Sequence, residues 1–480
     1  MEGLRRPLLF LCVGGFLALF WSQALHVPFW QDDYYFLLDA QRARLAGEPW
    51  HAAFFPEAKV PWWRPLGERT YWRFVEGPLG GTARAAHVAN ILLLLAASAA
   101  VGWFVSTFVS RRVPEHDAGL AGLLAALLYG VHSAHFLPAA WASAANASLG
   151  VLFSALALRF WLVVTTSWGR RAAAAGVGAV VCFVLALLSR DIAFVLPALG
   201  LLLTLWLRPR YRPSAAAAVV GVLCVGTALI WLQLRSHFTL PADPAYEFQY
   251  GVNLLRNAAA LVLFVFNVPF EALRFFFFVR PSFGAAAWGL ASFLLQAGAL
   301  ILLIRGAREH LRGRELAGLA AFYVLGCAPY FPLSINCYPY YTSIGLLAYA
   351  IAAGLAVQGG RRVPQVLLLA ILSSTLATLG NFFLDSPSHI GRARWAERQL
   401  VRLEAVREAR PELFAAPLVV VVEDEHRFLG FRAEGLAYRL GIDLADIQVA
   451  GREEPVTGRR PALVVPREGD VKFRTTEDGS

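Results

Sequence analysis

The chain has 480 residues, 58% of them hydrophobic and 13% aromatic, with only 16% charged, and its mean hydropathy is +0.54. That balance excludes one or several soluble domains of this length and identifies an all-α polytopic membrane protein. The net charge of +10 would elsewhere suggest nucleic acid, but here the arginines cluster in short loops between apolar segments, so no nucleic-acid partner is expected.

The first apolar stretch covers about 7–28 and follows Arg5-Arg6. Ser22-Gln23-Ala24 faintly resembles a cleavage site, yet the run is long for a signal peptide, so it is read as an uncleaved helix with the N-terminus inside. Directly after it stand two adjacent carboxylates, Asp32 and Asp33. Side by side at a membrane surface they repel each other and resist burial, so they call for a cation, a proton or a substrate nearby. The segment from Pro28 to about Arg84 is far longer than a connection needs and adds Tyr35, Lys59, Trp62, Trp63, Arg64, Glu68, Arg69, Trp72 and Arg73. An aromatic belt with snorkelling arginines explains the tryptophans and arginines but leaves the acidic pair unexplained.

Further apolar stretches follow at about 86–109, 118–136, 140–166, 172–188, 192–207, 214–235, 253–279, 283–304, 316–335, 340–358 and 364–384, most near the roughly 20 residues a span requires. Arg111-Arg112, Arg170-Arg171, Arg208 to Arg212, Arg305 to Arg314 and Arg361-Arg362 mark inward loops. Only an odd number of crossings fits between the outward loop 236–251 and the inward loop at Arg305. The stretch 253–279, with Asn253, Arg256, Asn257, Asn267, Pro269, Glu271 and Arg274, is therefore predicted to be interfacial or re-entrant. About eleven crossings remain, with the C-terminus outside.

Outward ends then carry Tyr129, His132, His135, Trp141 and Asn146; Ser189-Arg190-Asp191; His237 and Asp243 to Tyr250; and Asn336 to Tyr341. Arg190-Asp191 reads equally as a neutralised pair or as part of a site. His132 and His135, with no carboxylate beside them, read as buried polar groups rather than metal ligands. The five cysteines show no metal-ligand spacing. Asn146-Ala147-Ser148 fits a glycosylation pattern by chance.

After Asp385 the composition becomes mixed. A helix is predicted at about Arg392–Arg410, a strand at Leu418–Glu423, a helix near Arg427–Leu440 and a strand at Ala462–Pro466, with Arg474–Ser480 as a frayed tail. Residues 1–385 thus form the membrane domain, with 28–84 as its large outward loop. Residues 386–480 form a small α/β appendage at the outer face without a visible catalytic motif.

Read in order, the acidic pair after the first helix, Trp63-Arg64-Pro65-Leu66 and Ala86-His87-Val88-Ala89-Asn90-Ile91-Leu92 resemble the glycosyltransferase C superfamily. The nearest resemblance is to its protein O-mannosyltransferase-like branch, which includes the transmembrane-and-tetratricopeptide O-mannosyltransferases. Gly130-Val131-His132-Ser133-Ala134-His135 is similar to that branch's His-Pro-Leu-His segment, and Leu188-Ser189-Arg190-Asp191-Ile192-Ala193 with Pro197 to its Ser-Lys-Glu stretch. Asn336-Cys337-Tyr338-Pro339-Tyr340-Tyr341-Thr342-Ser343 is similar to its Arg-Tyr-Leu-Tyr-Leu-Pro-Ser segment. The resemblance covers about residues 1–385.

It implies an inverting hexosyltransferase that takes a sugar from a polyprenyl-phosphate donor at the outer face and passes it to a hydroxyl of a lipid, glycan or protein acceptor. Asp32 is then the catalytic acid residue, with Asp33 as its neighbour. Arg64 leads the candidates for the donor phosphate, followed by Lys59, Arg69 and Arg190, because a guanidinium binds phosphate oxygens bidentately. Tyr35, Trp62, Trp63, His132, His135, Asp191, Tyr338 and Tyr341 are expected to contact substrate or lipid.

Where the branch carries a second-loop Glu and then an Arg and Asp, this chain has Leu137, Ala145 and Ala147, and the tetratricopeptide array is absent. No metal or other cofactor is therefore expected, a divalent cation being the alternative. The Ala- and Arg-rich composition suggests a bacterial inner (plasma) membrane facing a periplasm, with a cytoplasmic N-terminus. Two alternatives remain: a transporter or flippase of lipid-linked glycans, which would show inverted repeats and broken helices at the midplane, and a non-catalytic scaffold.

Overall fold

The computed structural model describes residues 2–115, 117–207, 215–240, 247–274, 283–334, 337–356, 362–383, 388–414, 418–422, 432–451, 462–465 and 472–474. Its helices are α1 (Glu2–Phe20), α2 (Asp32–Leu45), α3 (Tyr71–Glu76), α4 (Ala83–Arg112), α5 (Ala118–Gly130), α6 (Phe136–Ala140), α7 (Ala145–Thr166), α8 (Gly169–Ser189) and α9 (Leu196–Leu207). They continue with α10 (Ala215–Phe238), α11 (Val252–Val265), α12 (Phe270–Arg274), α13 (Phe283–Ala307), α14 (Gly313–Cys327), α15 (Leu347–Ala356), α16 (Val363–Phe383), α17 (His389–Ala409) and α18 (Arg432–Leu440).

Seven helices among the described residues are long and apolar enough to cross a membrane, and eight if the bent pair Ala118–Gly130 and Ser133–Ala140, 56° apart, forms one span. Asp191–Leu207, α14 and α15 stand where the remaining crossings were expected, but as shorter pieces, so among the described residues seven or eight spans, not eleven, meet the length and apolarity of a crossing. Over its described residues, the stretch expected to be interfacial or re-entrant forms α11, a turn and α12. At 14 residues, α11 spans only ~21 Å, too short for a bilayer core.

The turn between α11 and α12 is held from within the bundle. Asn267 takes the left-handed conformation, with φ 54°. Its Oδ1 accepts from Ser133 N at 3.0 Å and Ser133 Oγ at 2.8 Å, and its Nδ2 donates to Ser374 Oγ at 2.9 Å. One amide side chain therefore ties the turn to the break in the bent pair and to α16, satisfying backbone that lipid would leave unpaired.

Helix ends follow local chemistry. Thr82 caps α4 by accepting from Ala85 N at 3.3 Å, and Asp117 caps α5 by accepting from Gly119 N and Leu120 N. Arg111 and Arg112 occupy the last turn of α4, where the helix dipole favours cations. Where α4 crosses α5, a Cβ on Gly102 would lie 2.6 Å from Gly122 O, and one on Gly122 2.5 Å from Gly102 O, so only glycine permits this approach. Arg112 Nη2 meets Glu315 Oε1 at 2.7 Å, which puts the basic loops after α4 and α13 at the same end of the bundle.

The main core runs through Phe104, Phe108, Leu158, Phe183, Leu199, Phe322 and Ile351, all buried. A second core is shared by two parts of the sequence expected to be separate. Tyr34, Leu37 and Trp72 of the first loop pack with Leu400 and Leu403 of α17, Leu436 and Leu440 of α18, and Val420 and Leu463 of a sheet. That sheet comprises β1 (Leu418–Val422), β2 (Ile447–Gly451), β3 (Ala462–Val465) and β4 (Lys472–Arg474), in the order β2-β1-β3-β4. β1 pairs in parallel with β2 and β3, aligning Val420 with Val449 and Leu463, while β4 is antiparallel to β3. Parallel strands buried on both faces read as continuous Leu-Val runs, as Leu418 to Val422 does.

The C-terminal α/β unit is thus present, with the α17, β1 and β3 boundaries near those expected; β2 and β4 are additional. Arg474 belongs to β4 rather than to a tail. Residues 423–431, which hold the expected start of α18, and 475–480 lie outside the described residues, as do Arg208 to Arg212, Asp243, Asn336 and Arg361.

Candidate active site

The chain leaves α1 through a short turn at Ser22–His26 and reaches Gln31, whose φ of 54° reverses it so that Asp32 and Asp33 form the first turn of α2. Carboxylates are favoured at this end of a helix. The two then diverge. Asp33 is fully buried; its Oδ1 accepts from Ser143 N at 2.8 Å and Ser143 Oγ at 2.6 Å, and its Oδ2 from Trp30 N at 3.1 Å. Burial pushes its pKa up to about 7, against the opposing pull of those hydrogen bonds. Asp33 is a clamp between α2 and the turn before α7, a correction to its expected catalytic role. Asp32 keeps its side chain 17% exposed and meets Arg432 Nη1 at 3.4 Å.

Behind this turn lies a network of alternating charge. Arg64 Nη1 donates to Glu68 Oε1 at 2.6 Å, one helical turn along the chain, and Arg64 Nε to Asp191 Oδ1 at 3.3 Å. Arg235 Nε meets the other oxygen of Asp191 at 3.1 Å. Asn146 Nδ2 donates to Glu68 Oε1 at 3.3 Å and to Ser143 O at 3.2 Å, so the network continues to the clamp under Asp33. Arg190 Nη1 donates to Asn146 Oδ1 at 2.9 Å and its Nε to Tyr330 Oη at 3.0 Å. Tyr340 and Tyr341 rings flank the same guanidinium at 4.5 and 5.5 Å. Burial raises Glu68 to about 7 despite Arg64, and the charges of Asp191 and Asp32 add to the rise, so Asp32 belongs electrostatically to the same group.

Of the expected site residues, Asp32, Arg64, Arg190 and Asp191 converge. Arg190 and Asp191 do not neutralise each other: Asp191 takes Arg64 and Arg235, and Arg190 takes Asn146 and a tyrosine cage. Tyr341 stacks on Tyr330 at 3.8 Å, and Tyr338 on Tyr340 at 5.5 Å, as walls of that cage. Tyr35, half-buried, feels Glu68 and Asp39.

The rest lie elsewhere. Arg69 turns to Asp39 at 3.4 Å and Ala52 O at 3.5 Å, and Lys59 is exposed on the loop. Trp63 is buried, with Nε1 bonded to Phe54 O at 3.0 Å and its ring 5.2 Å from Phe238, so it braces the loop and offers no face to a sugar. Trp62 packs on Phe36 at 6.1 Å. His132 and His135 are buried at the break of the bent pair, against Tyr349 at 5.6 Å and Tyr129 at 4.5 Å, and act as core residues rather than substrate contacts.

No family model matches the chain, and no curated protein does. Among solved structures it is similar to ArnT from Cupriavidus metallidurans. The apo form matches at TM-score 0.48 and 15% identity over 95% of this chain and 87% of that one. The form bound to undecaprenyl phosphate matches at 0.47 and 15% over 95% and 92%. The Archaeoglobus fulgidus oligosaccharyltransferase in the apo form matches at 0.46 and 14%, over 86% of this chain and 62% of that one.

Five contributors were not placed in the site by sequence reading, although Glu68 and Asn146 were noted among the outward-facing residues. Glu68 had a local signal, standing four residues after Arg64, and Asn146 had one as an amide in an apolar helix. Ser143, Arg235 and Arg432 had none, because their partners Asp33, Asp191 and Asp32 lie more than 40 residues away along the chain. Among the described residues no three His, Cys, Asp or Glu side chains group as a metal site.

Proposed function

We propose that the chain is a membrane glycosyltransferase that moves a sugar from a polyprenyl-phosphate donor to an acceptor hydroxyl at the outer face, with inversion at the anomeric carbon. The observation that carries this reading is Asp32: a partly exposed carboxylate on a helix N-terminus, beside a buried Arg64–Glu68–Asp191–Arg190 network, at the end of a membrane bundle. Lipid substrates reach such a site from the bilayer and acceptors from water.

In the proposed reaction Asp32 takes the proton of the acceptor hydroxyl as its oxygen bonds to the anomeric carbon. The bond from that carbon to the donor phosphate breaks, and polyprenyl phosphate leaves with the bonding pair. The leaving group is already good, so the site needs mainly a positioned base and cations to receive the phosphate charge. Glu68 and Asp191 hold Arg64 in place and the tyrosine cage holds Arg190, so these two arginines set a positive field around Asp32 from fixed positions. The proposal has the N-terminus in the cytoplasm and the C-terminal unit outside, in an inner (plasma) membrane, as the arginine-rich loops suggest. Acceptors are lipid, glycan or protein hydroxyls, and no cofactor takes part.

The test is release of polyprenyl phosphate from a panel of polyprenyl-phosphate-linked sugars by the reconstituted chain. Wild type is expected to turn over one of them and Asp32→Asn to lose at least 100-fold, about the contribution of a general base. Undiminished turnover by the variant removes Asp32 from the reaction. The transporter reading instead needs inverted repeats and broken helices at the midplane; movement of the intact lipid-linked sugar across the bilayer without release of polyprenyl phosphate would favour it over the transferase.

A further inference from the structure

The arginines that sequence reading placed on the donor phosphate are already occupied. Arg64 is held between Glu68 and Asp191 by two charge-assisted hydrogen bonds. Arg190 is 5% exposed, with Asn146 and Tyr330 on its nitrogens and tyrosine rings around its guanidinium. Redirecting either toward a ligand would strip a buried carboxylate or amide of its partner, which is costly.

Arg432 differs on each count. Its side chain is 43% exposed, and its ion pair with Asp32 is one long contact, Nη1 to Oδ1 at 3.4 Å. An exposed single contact of this kind is weak and yields readily to a better anion. Local chemistry disfavours an arginine there twice over. Arg432 has φ 47°, a left-handed conformation uncommon for a side chain of this size, and it opens α18, where the helix dipole disfavours a cation. Strain of this kind persists where surrounding structure enforces it and clusters at functional sites.

The surroundings do enforce it. Tyr438 packs on Tyr34 at 6.3 Å, Leu436 and Leu440 sit in the core shared with α2, and Arg439 is clamped by Glu397 at 3.0 Å and Glu404 at 2.7 Å. α18 is thereby fixed against the helix that carries Asp32, and Arg432 is delivered to the catalytic carboxylate by the far end of the chain.

The geometry points to Arg432 as a phosphate-binding residue of the active site: it rests on Asp32 through one long contact, and the donor phosphate takes it over. This rests on the transferase reading and extends it, making the C-terminal α/β unit half of the donor site. A guanidinium suits the task because it engages two phosphate oxygens at once.

The experiment measures equilibrium binding of farnesyl phosphate to the full chain in nanodiscs, with farnesol as the uncharged control. Wild type is expected to prefer the phosphate. Arg432→Gln is expected to raise its Kd roughly tenfold, one lost charge-assisted contact, while leaving farnesol binding unchanged. Arg432→Lys keeps the charge beside Asp32 and so the fold, and is expected to lose several-fold through the missing fork. Arg410→Gln, a charge removal at the remote Glu412 pair, is expected to bind as wild type does. Wild-type affinity in both Arg432→Gln and Arg432→Lys overturns the assignment while leaving the transferase reading in place. Absence of any preference for farnesyl phosphate over farnesol in wild type overturns both.

Discussion

Two adjacent carboxylates take different roles because their surroundings differ. Asp33 lies in a dry clamp and Asp32 at a half-open turn, so Asp33→Ala is expected to destabilise the fold by about 1–3 kcal/mol, leaving the Ser143 and Trp30 donors unpaired, whereas Asp32→Asn is expected to cost activity with little change in melting temperature. Comparing thermal melts and turnover for both variants checks the division. The same burial sets a pH dependence. Asp33 and Glu68 titrate near 7 when folded, against ordinary values of 3.8 and 4.5. The folded state therefore holds more protons between roughly 4 and 7, and their contribution to stability is full at the acidic end and lost as pH rises through about 7. Melting temperature is expected to fall from pH 6 to pH 8, and a flat profile in wild type would contradict it. Asp33→Asn should show a shallower slope. Of the carboxylates near Asp32, Glu68 and Asp191 are paired with arginines and Asp33 is taken up by Ser143 and Trp30, while the second-loop positions hold Leu137, Ala145 and Ala147. Turnover is accordingly expected to survive EDTA; its abolition by EDTA with rescue by manganese would refute the metal-free proposal. The acidic pair was legible in sequence because two adjacent carboxylates beside an apolar run repel each other and are costly to bury. Which of the two stays available was not, since that depends on Ser143, 110 residues away.

At the level of elements, charge parity predicted that 253–279 does not cross, and its described residues form two short helices joined by a turn that the bundle holds in place. Asn267 carries three hydrogen bonds to the bundle at a left-handed turn. Asn267→Leu removes all three and adds backbone strain, an expected loss of about 1–3 kcal/mol, whereas Asn267→Gly keeps the turn and is expected to lose less. Thermal unfolding in detergent ranks them; equal losses would show that the bonds, not the φ angle, dominate. Close helix crossings were invisible to hydropathy because it carries no information on whether a backbone lacks a Cβ. The α4–α5 contact depends on the difference, since any side chain at Gly122 meets the backbone of Gly102. The C-terminal helices and the two Leu-Val strands were legible as periodic or continuous apolar runs. β2 escaped because Ile447 to Gly451 has no run of that kind, and β4 because Lys472 to Arg474 is three residues long.

Across the molecule, the division into a membrane domain and an appendage fails at one place that matters for function. Composition changes sharply after Asp385, and that change suggested a separate unit. Packing does not respect it: Tyr34, Leu37 and Trp72 of the first loop share one core with Leu400, Leu403, Leu436 and Val420. A first loop of this length cannot bury those large side chains on its own, and the four-stranded unit supplies the missing layer. Stability of the loop and of the unit must then be coupled, and so must the position of Asp32. Leu400 is fully buried in this shared core, so Leu400→Ala is expected to destabilise it by about 2–5 kcal/mol. Because the core is common, limited proteolysis of that variant should open sites in 28–84 and in 386–480 at the same rate, with transfer falling in parallel although Leu400 makes no charged contact with the site. Protection of the first loop while the C-terminal unit is digested would show two independent bodies, and would leave Arg432 without the rigid support that its contact with Asp32 requires.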